Sequence, residues 1–223
     1  MLLELSGVTF GYTDRPPILC GADLTLAAGE RLCVTGANGS GKSTLLRLIV
    51  GLIRPTAGTI TAFGHPCLGE ADFAKVRRRV GLVFQDPDDQ LFCPTVAEDV
   101  AFGPLNLGQT RDKAMATVAR VLAQLDLRHL QDRVTYQLSG GERRLVTLAT
   151  VLAMNPEVLL LDEPTNALDA DNQARLTDVL QALPHAMVIV SHDAAFRAAL
   201  GNRALVLQNG QLSPVAQDPV KTV

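Results

Sequence analysis

The chain has 223 residues, enough for one well-buried domain or for one domain that carries a large insertion. Apolar residues make up 47% of it and aromatics only 4%, so the core must be mainly aliphatic, as is typical of parallel strands buried on both faces. The net charge of −3 excludes a general attraction to nucleic acid, and no nucleic-acid partner is expected.

Neither a secretory signal nor a membrane-spanning helix is predicted. Met1–Phe10 alternates like a strand and carries Glu4, unlike the apolar core of a signal peptide. Leu145–Met154 is the longest uncharged apolar stretch, and Asn155-Pro156 ends it well short of the ~18–20 residues that span a bilayer. We therefore expect a soluble protein whose link to any membrane is made by a partner.

The first half of the predicted fold begins with two strands, Leu2–Phe10 and Ala22–Leu26, which are expected to form a small antiparallel sheet. A short apolar strand, Arg31–Thr35, follows. A glycine-rich turn then leads into a helix over about Lys42–Val50, and Gly51 is placed to end it.

Further strands are expected at Val80–Phe84, Val158–Asp162, Met187–Val190, Arg203–Gln208 and Gln211–Val215. The last two flank Asn209-Gly210, a strong hairpin signal. Residues 86–154 are richer in helix signals, with Arg111–Leu127 the clearest. Strands that alternate with helices predict an α/β fold with a mostly parallel sheet, a small antiparallel β subdomain and an inserted α-helical subdomain.

Two groups of residues are given ordinary structural interpretations. The cysteines show neither C-x-x-C spacing nor a paired histidine motif, so we expect small buried hydrophobes at Cys20, Cys33, Cys67 and Cys93. A basic run precedes the strand at Val80 and contains Lys75, Arg77, Arg78 and Arg79. We interpret it as a solvated helix end, where cations complement the helix dipole, rather than as a phosphate site.

The clearest motif follows the strand Arg31–Thr35. It matches the P-loop pattern G-x-x-x-x-G-K-[ST] in full over Gly36, Ala37, Asn38, Gly39, Ser40, Gly41, Lys42 and Ser43. The glycines let successive N–H groups turn toward one anion, and the helix that begins near Lys42 adds its positive end. We expect ATP to bind here and at Thr44, with Lys42 on the β- and γ-phosphates and Ser43 Oγ on Mg²⁺.

A second element is the aliphatic strand that ends in Asp162-Glu163. Such a strand places both carboxylates at the carboxyl edge of the sheet, where ligands of α/β folds bind. Asp162 is expected to hold Mg²⁺ through water, and Glu163 to polarise the water that attacks the γ-phosphate. An apolar run ending in Asp-Glu is also a common strand terminus, so this assignment depends on the P-loop beside it.

A third motif identifies a family. Leu138-Ser139-Gly140-Gly141-Glu142 resembles the signature of ATP-binding cassette proteins, which no other P-loop class carries. Ser139 with Glu142 is also a capping box. Both interpretations can hold, because a capped helix start with two glycines is an anion site. The resemblance implies that it serves the γ-phosphate bound by the opposing subunit.

The resemblance covers nearly the whole chain. The family's remaining elements occur in its order: Tyr12 for the aromatic that stacks on adenine, Gln85 for the Q-loop glutamine near Mg²⁺ and the attacking water, Asn166 to Asp169 for the D-loop, and His192 for the switch histidine on the γ-phosphate. The implied metal ligands are Ser43, Gln85 and Asp162. The family commonly has Gln where Glu142 stands and Ser where Asn166 stands, and both departures could tune how two subunits communicate.

The resemblance implies one cassette domain over residues 1–223. Its nucleotide-binding core would span about 1–85 and 155–223 and have the P-loop NTPase fold, with the helical subdomain at about 86–154. ATP and Mg²⁺ are the implied cofactors. A second cassette, identical or related, is the implied partner.

A finer resemblance lies in Val83–Phe92 and Thr95–Pro104. These stretches are similar to ATPases of energy-coupling-factor importers, which take up cobalt, nickel or vitamins such as biotin. Such ATPases sit below a transmembrane coupling protein and a membrane substrate-binding component, so a peripheral place on the cytoplasmic face of the membrane is implied. Many carry an extra C-terminal dimerisation segment, and this chain resembles the shorter members.

The same region is acidic. It contains no Lys or Arg between positions 86 and 99, and its carboxylates are Asp86, Asp88, Asp89, Glu98 and Asp99. It is either a solvated loop or a docking surface for basic coupling helices, since charge complementarity steers association.

Three other functions compete with an energy-coupling-factor importer. The first is the ATPase of another cassette importer or exporter. The second is a soluble cassette factor in translation or DNA repair, which usually has two cassettes or long coiled coils, whereas this chain has one P-loop and no heptad run. The third is a small-molecule kinase, which would explain the P-loop but not the residues from Leu138 to Glu142.

Overall fold

The computed structural model describes residues 1–13 and 16–215. Its strands are β1 (Leu3–Phe10), β2 (Leu19–Leu26), β3 (Arg31–Thr35), β4 (Ala57–Ala62), β5 (His65–Pro66), β6 (Val80–Val83), β7 (Val158–Asp162), β8 (Ala186–Val190), β9 (Arg203–Gln208) and β10 (Gln211–Pro214). Its helices are α1 (Lys42–Ile49), α2 (Glu70–Arg79), α3 (Val96–Asn106), α4 (Arg111–Gln124), α5 (Gly140–Leu152), α6 (Ala170–Ala182) and α7 (Ala194–Leu200). Within the described ranges, no helix combines the length and apolar character that a membrane crossing requires.

The strands form two sheets. The smaller sheet is antiparallel, with the order β2-β1-β4-β5. The larger has the order β10-β9-β3-β8-β7-β6, and within it only the β9–β10 hairpin is antiparallel. Helices α3, α4 and α5 are inserted between β6 and β7. The predicted fold class is thereby confirmed.

The larger sheet is buried on both faces. Along β7, Leu159 and Leu161 pack into a cluster that includes residues of α3 to α7. Val158 and Leu160 pack into a second cluster, formed with α1, α2 and the antiparallel sheet. Because successive side chains of a strand point to opposite faces, burial on both sides requires an unbroken apolar run, which is what the sequence of β7 shows.

The register of the parallel strands brings their carboxyl ends level. Val190 of β8 pairs with Val34 of β3 on one side and with Asp162 of β7 on the other. Val83, the last residue of β6, pairs with Leu161 of β7. The segments that follow these strands therefore open at one edge of the sheet, where ligands of open α/β sheets bind.

Element boundaries differ from the prediction where tertiary contacts decide them. β2 begins at Leu19 rather than Ala22, because Leu19 pairs with Phe10 of β1. α4 ends at Gln124 rather than Leu127, because Asp126 adopts a left-handed conformation at φ 56°. β4, β5, α3, α6 and α7 were not predicted individually, and of α2 only the end was predicted.

Two smaller expectations are corrected by the structure. Cys33 is buried and Cys67 and Cys93 are half-buried, but Cys20 is exposed, so the expected burial is wrong for it. Its N–H donates to the carbonyl of Gly210, which places it at the junction of β2 with the β9–β10 hairpin. All four cysteines are free thiols.

The basic run forms the last turn of α2, as predicted. It is not merely solvated, however. Arg77 pairs with Glu70 at the start of the same helix, and Arg79 pairs with Glu157 just before β7. Only the second pair links α2 to another part of the chain, and exposed pairs of this kind contribute little to stability.

The two-sided core makes a quantitative prediction. Leu160 lies at the centre of β7 with no exposed surface, so Leu160→Ala should lower the free energy of unfolding by about 2–5 kcal/mol. Leu52→Ala is the control, because Leu52 is 50% exposed and the loss there should stay within about 0.5 kcal/mol. Urea denaturation measures both, and equal losses would contradict the proposed core.

Candidate nucleotide-binding site

A cleft of about 730 Å³ opens at the carboxyl edge of the larger sheet. It collects predicted site residues from five separate segments of the chain. Those that line it are Asn38, Gly39, Gly41, Lys42, Ser43, Thr44, Gln85, Asp162, Glu163, Asn166 and His192. These residues meet because the carboxyl ends of four neighbouring strands, β3, β8, β7 and β6, lie level at this edge of the sheet.

The P-loop connects β3 to α1 in a conformation that requires glycine. Gly36, Gly39 and Gly41 have φ values of 150°, 75° and 106°, which side chains rarely permit. A Cβ at Gly41 would overlap Ile18, and one at Gly36 would overlap the carbonyl of Leu207. α1 then begins without a side-chain cap, so its first N–H groups face a prospective anion.

Lys42 is held inside this loop. Its side chain is largely buried, with 7% of the residue exposed. Nζ donates to the carbonyl of Gly36 at 2.9 Å and to that of Ala37 at 3.0 Å. An ammonium group has three protons to donate, so these two bonds fix its position and leave a third donor for a phosphate oxygen.

Ser43 and Asp162 approach each other across the cleft. Ser43 Oγ donates to Asp162 Oδ1 at 3.1 Å. Burial raises the pKa of Asp162, the nearby Glu163 raises it further, and the bond from Ser43 opposes the shift. A buried carboxylate beside a hydroxyl is a set of hard oxygen donors that fits Mg²⁺, which also keeps water and phosphate ligands. When bound here, Mg²⁺ would neutralise charge on the phosphate oxygens.

Glu163 and His192 form a second pair. Glu163 Oε2 accepts a hydrogen bond from the backbone N–H of His192 at 3.1 Å, and Oε1 lies 3.2 Å from His192 Nε2. The latter contact lacks hydrogen-bond geometry, so Oε1 is buried without a hydrogen-bond partner among the described residues. One carboxylate oxygen is thus anchored, and the other can accept the proton of a water molecule.

The backbone of Glu163 is strained. Its φ is 45°, a left-handed conformation that non-glycine residues adopt at a cost of about 1–3 kcal/mol. Its N–H donates to the carbonyl of Val190, which holds the residue in place at the end of β7. Ala167, also on the cleft wall, has φ 60°. Strain of this kind is concentrated at functional sites.

Several residues on the cleft wall belong to no recognised motif and were not predicted. Ile18 packs against Gly41, and Thr165 follows the strand-end carboxylates. Gln173 of α6 donates to Asp193, whose other oxygen accepts from the N–H of Phe196 and so caps α7. Asp193 directly follows His192, and this neighbouring position was the one sequence signal that could have indicated a place on the cleft wall.

Four predicted ATP-binding residues do not line the cleft. Gly36, Ala37 and Ser40 belong to the P-loop, and the carbonyls of the first two accept hydrogen bonds from Lys42. Tyr12 is 41% exposed and packs edge-on against Phe10, with ring centroids 5.0 Å apart. Adenine stacking by Tyr12 therefore stays a prediction.

The signature begins α5, and the predicted capping box is confirmed. The N–H of Ser139 donates to Glu142 at 2.8 Å, and Ser139 Oγ accepts from the N–H of Glu142 at 3.3 Å. The hydrogen bond from the Ser139 backbone lowers the pKa of Glu142. The four signature residues at positions 139–142 do not line the P-loop cleft. Gly140 instead lines a neighbouring cleft, whose wall includes Ser43.

The D-loop residues have separate places. Asn166 lines the P-loop cleft, and its N–H donates to the carbonyl of Glu163. Asp169 does not line it; it caps α6 by accepting a hydrogen bond from the N–H of Asn172 at 2.8 Å. Asn172 packs so closely on Gly141 that a Cβ there would overlap its side chain. The start of α6 therefore touches the start of α5.

A family comparison identifies this constellation. A family model described as ABC transporter matches residues 19–166, two thirds of the chain. The chain belongs to the ABC transporter family. It is an ATP-binding, ATP-hydrolysing transporter subunit, and the predicted resemblance is confirmed.

Curated relatives extend the match over nearly the whole cassette. A Brucella suis protein described only in general terms, as an ABC transporter ATP-binding protein, is 55% identical over 96% of this chain and 88% of its own length. The nickel import ATP-binding protein NikO of Rhodobacter capsulatus is 47% identical over 94% and 87%. The energy-coupling factor transporter ATP-binding protein EcfA of Methanothermobacter thermautotrophicus is 40% identical over 95% and 69%.

Solved structures agree with the fold. CbiO1 from Clostridium perfringens, part of the ABC transporter complex cbiONQ, superposes with a TM-score of 0.86 at 32% identity, covering 95% of this chain and 86% of that one. The cassette MJ0796, solved as a dimer in a post-hydrolysis state with ADP and Pi, gives a TM-score of 0.84 at 28% identity, covering 95% and 97%.

The position of Lys42 predicts a loss of both binding and turnover. Lys42→Ala removes the cation held in the P-loop and should lower ATP turnover by about 10²–10³-fold. Phosphate release measures turnover, and a fluorescent ATP analogue measures binding. Lys113→Ala, at an exposed position on α4, is the control. Turnover by Lys42→Ala at the parent rate would refute the phosphate site.

Burial of Asp162 predicts a gain in stability when its charge is removed. Its pKa is raised in the folded chain, so ionisation at neutral pH weakens folding. Asp162→Asn should raise the free energy of unfolding by about 0.5–2 kcal/mol at pH 7 while ATP turnover falls. The gain should shrink as the pH falls through the carboxyl range and Asp162 takes up a proton.

Denaturant unfolding at several pH values measures this effect. Asp178→Asn, on the exposed side of α6, is the matched control and should not change stability in this way. A less stable Asp162→Asn protein at neutral pH would show that the carboxylate is compensated by its surroundings.

Proposed function

We propose that this chain is the ATPase of an energy-coupling-factor type importer, and that two cassettes close around ATP to drive uptake of cobalt, nickel or a vitamin such as biotin. One observation supports the proposal that two cassettes close around ATP. The groups suited to binding and hydrolysis share one cleft, whereas the signature lies outside it. Each chain thus provides two halves of a site that it does not itself join.

Within the cleft, each residue has a proposed role. Lys42 and the P-loop N–H groups bind the β- and γ-phosphates. Ser43, Asp162 and Gln85 hold Mg²⁺, the carboxylate through water. Glu163 accepts the proton of the attacking water through its unpartnered oxygen, and His192 contacts the γ-phosphate from the other side of that carboxylate.

The other half of the site is the start of α5. Ser139 and Gly140 are exposed. Ser139 Oγ accepts from the N–H of Glu142, while the N–H groups of Gly140 and Gly141 have no hydrogen-bond partner among the described residues. Free N–H groups at a helix start, with no side chain on two successive residues, suit a phosphate from a second chain.

Dimerisation is testable with a hydrolysis-deficient variant. Glu163→Gln keeps the shape of the side chain but removes the base, which typically lowers the rate ~10²–10⁴-fold. ATP should then persist and hold two chains together. Light-scattering chromatography should show a dimer with MgATP and a monomer without it.

A second substitution provides the control. Adding Ser139→Arg should prevent this dimer while each monomer still binds a fluorescent ATP analogue. A Glu163→Gln protein that stays monomeric in saturating MgATP would favour an obligate heterodimer with a related chain. A monomer that turns over ATP at full rate at every concentration would refute the composite site.

The importer subtype is supported by the relatives named for nickel import and for the energy-coupling factor. We place the chain at the cytoplasmic face of a membrane, bound to a transmembrane coupling protein beside a substrate-binding component. An apolar groove of about 260 Å³ suits a helix of that coupling protein. Its rim includes Phe92 and Phe102, which are 64% and 46% exposed and pack edge to face.

The acidic stretch contributes to this surface differently than predicted. Asp86, Asp88 and Asp89 are exposed, and Asp88 also pairs with Arg143 at 2.8 Å. Asp99 is only 3% exposed, so it is not a surface charge. It lines the groove, and its Oδ2 is unpartnered among the described atoms while Oδ1 accepts from the N–H of Phe92 and Cys93. A basic side chain entering the groove would complement both sets of charge.

Charge removal tests this docking. The triple change Asp86→Asn, Asp88→Asn and Asp89→Asn should weaken pull-down by the transmembrane coupling protein, most strongly at low salt. The matched control replaces three exposed carboxylates elsewhere, at Asp112, Asp126 and Asp178. Equal binding by both triple variants at every salt concentration would contradict docking and favour the interpretation of the acidic stretch as a solvated loop.

A further inference from the structure

Arg144 is a buried arginine with no place in the proposed chemistry. It lies in α5, five positions after Ser139, and only 3% of it is exposed. Its two terminal nitrogens donate to successive carbonyls of the segment that follows β6, at 2.8 Å to Phe84 and at 2.7 Å to Gln85. Charge-assisted bonds of this length are among the stronger ones in proteins.

Other contacts attach the same segment to α5. Gln90 accepts a hydrogen bond from the N–H of Phe84 at 3.2 Å. The same amide donates to the carbonyl of Thr147 at 3.1 Å and to Thr150 Oγ1 at 2.8 Å, both on α5. Residues 84–90 are therefore fastened to the signature helix from several sides.

We propose that Arg144 is a positioning residue that fixes Gln85 to α5, so that the signature and Gln85 move as one unit relative to the P-loop. This inference rests on the proposed roles of Gln85 and of the signature. Gln85 already borders the cleft. When a second cassette draws the start of α5 toward ATP, the same movement would carry Gln85 toward Mg²⁺ and the attacking water. Hydrolysis would then depend on closure without a separate signal between the two elements.

An arginine suits this task for a physical reason. Its planar guanidinium can donate to two neighbouring carbonyls at once, whereas a lysine acts at one point. Burial lowers the pKa of Arg144, and the carboxylates of Asp86 and Asp162 oppose that shift. The positive charge of Arg144 is thus compensated by Asp86 of the segment that it holds and by Asp162 of the cleft.

A double-mutant cycle tests the link. The variants are Arg144→Met, Gln85→Ala and the combination of both, in the full-length chain. Arg144→Met should lower kcat by about 10–100-fold, as expected for a displaced catalytic-site group. Its KM and its affinity for a fluorescent ATP analogue should stay within about twofold of the parent. In the Gln85→Ala background the same change should lower kcat by less than about twofold further, because its target is already gone.

Two more variants separate positioning from folding. Arg31→Met is the matched control, because Arg31 donates to the carbonyls of Gln181 and Leu183 at the opposite end of β3. Its kcat should stay near the parent value. Arg144→Lys can restore one of the two bonds and should give an intermediate kcat. If thermal unfolding shows that Arg144→Met does not fold, Arg144→Lys replaces it in the double-mutant cycle.

The outcomes distinguish this inference from the proposed function. If Gln85→Ala turns over ATP at the parent rate, the role of Gln85 in the proposed function is refuted and the inference falls with it. If Gln85→Ala is impaired but the double variant loses kcat by the product of the two single-variant factors, the proposed function stands and the link through Arg144 is refuted. Equal losses of kcat in Arg31→Met and Arg144→Met would likewise refute it.

Discussion

The hydrogen-bonded register between the parallel strands is the constraint on which the site depends. Because Val34, Val190 and Asp162 are held level in neighbouring strands, the P-loop, His192 and Glu163 begin at one edge of the sheet. A one-residue slip would turn every side chain of a strand to its other face and expose its aliphatic run. The two-sided core therefore fixes the geometry of the chemistry as well as the stability of the fold.

The site itself works against stability at several points. Burial raises the pKa of Asp162, Glu163 has a left-handed backbone, and one oxygen of Glu163 has no hydrogen-bond partner among the described residues. The surrounding sheet holds these groups in position because both of its faces are packed. Such local losses are common where binding a charged ligand requires charges that are fixed in advance.

α5 connects the parts of the molecule that the proposed cycle must coordinate. Its first turn is capped by Ser139 and Glu142, so the signature has a defined shape without a ligand. One turn later, Arg144 donates to the carbonyls of Phe84 and Gln85, and the Gln90 side chain donates to α5. The groove proposed for the membrane partner borders this segment too. The groups proposed for closure, hydrolysis and docking thus all contact α5.

The sequence by itself determined the features that depend on neighbouring residues. The P-loop follows from glycines that permit left-handed backbone, the start of α5 from its capping box, and β7 from an unbroken apolar run. Their meeting at one sheet edge was also predictable, because parallel strands place their carboxyl ends together. What only the tertiary structure decided depends on residues far apart in the chain. Asp99 was expected on an acidic surface and is buried, and Arg144 carries no motif because its partners are backbone carbonyls 59 and 60 positions away. A carbonyl is present at every residue, so no pattern of side chains could reveal that contact before the fold brought the two segments together.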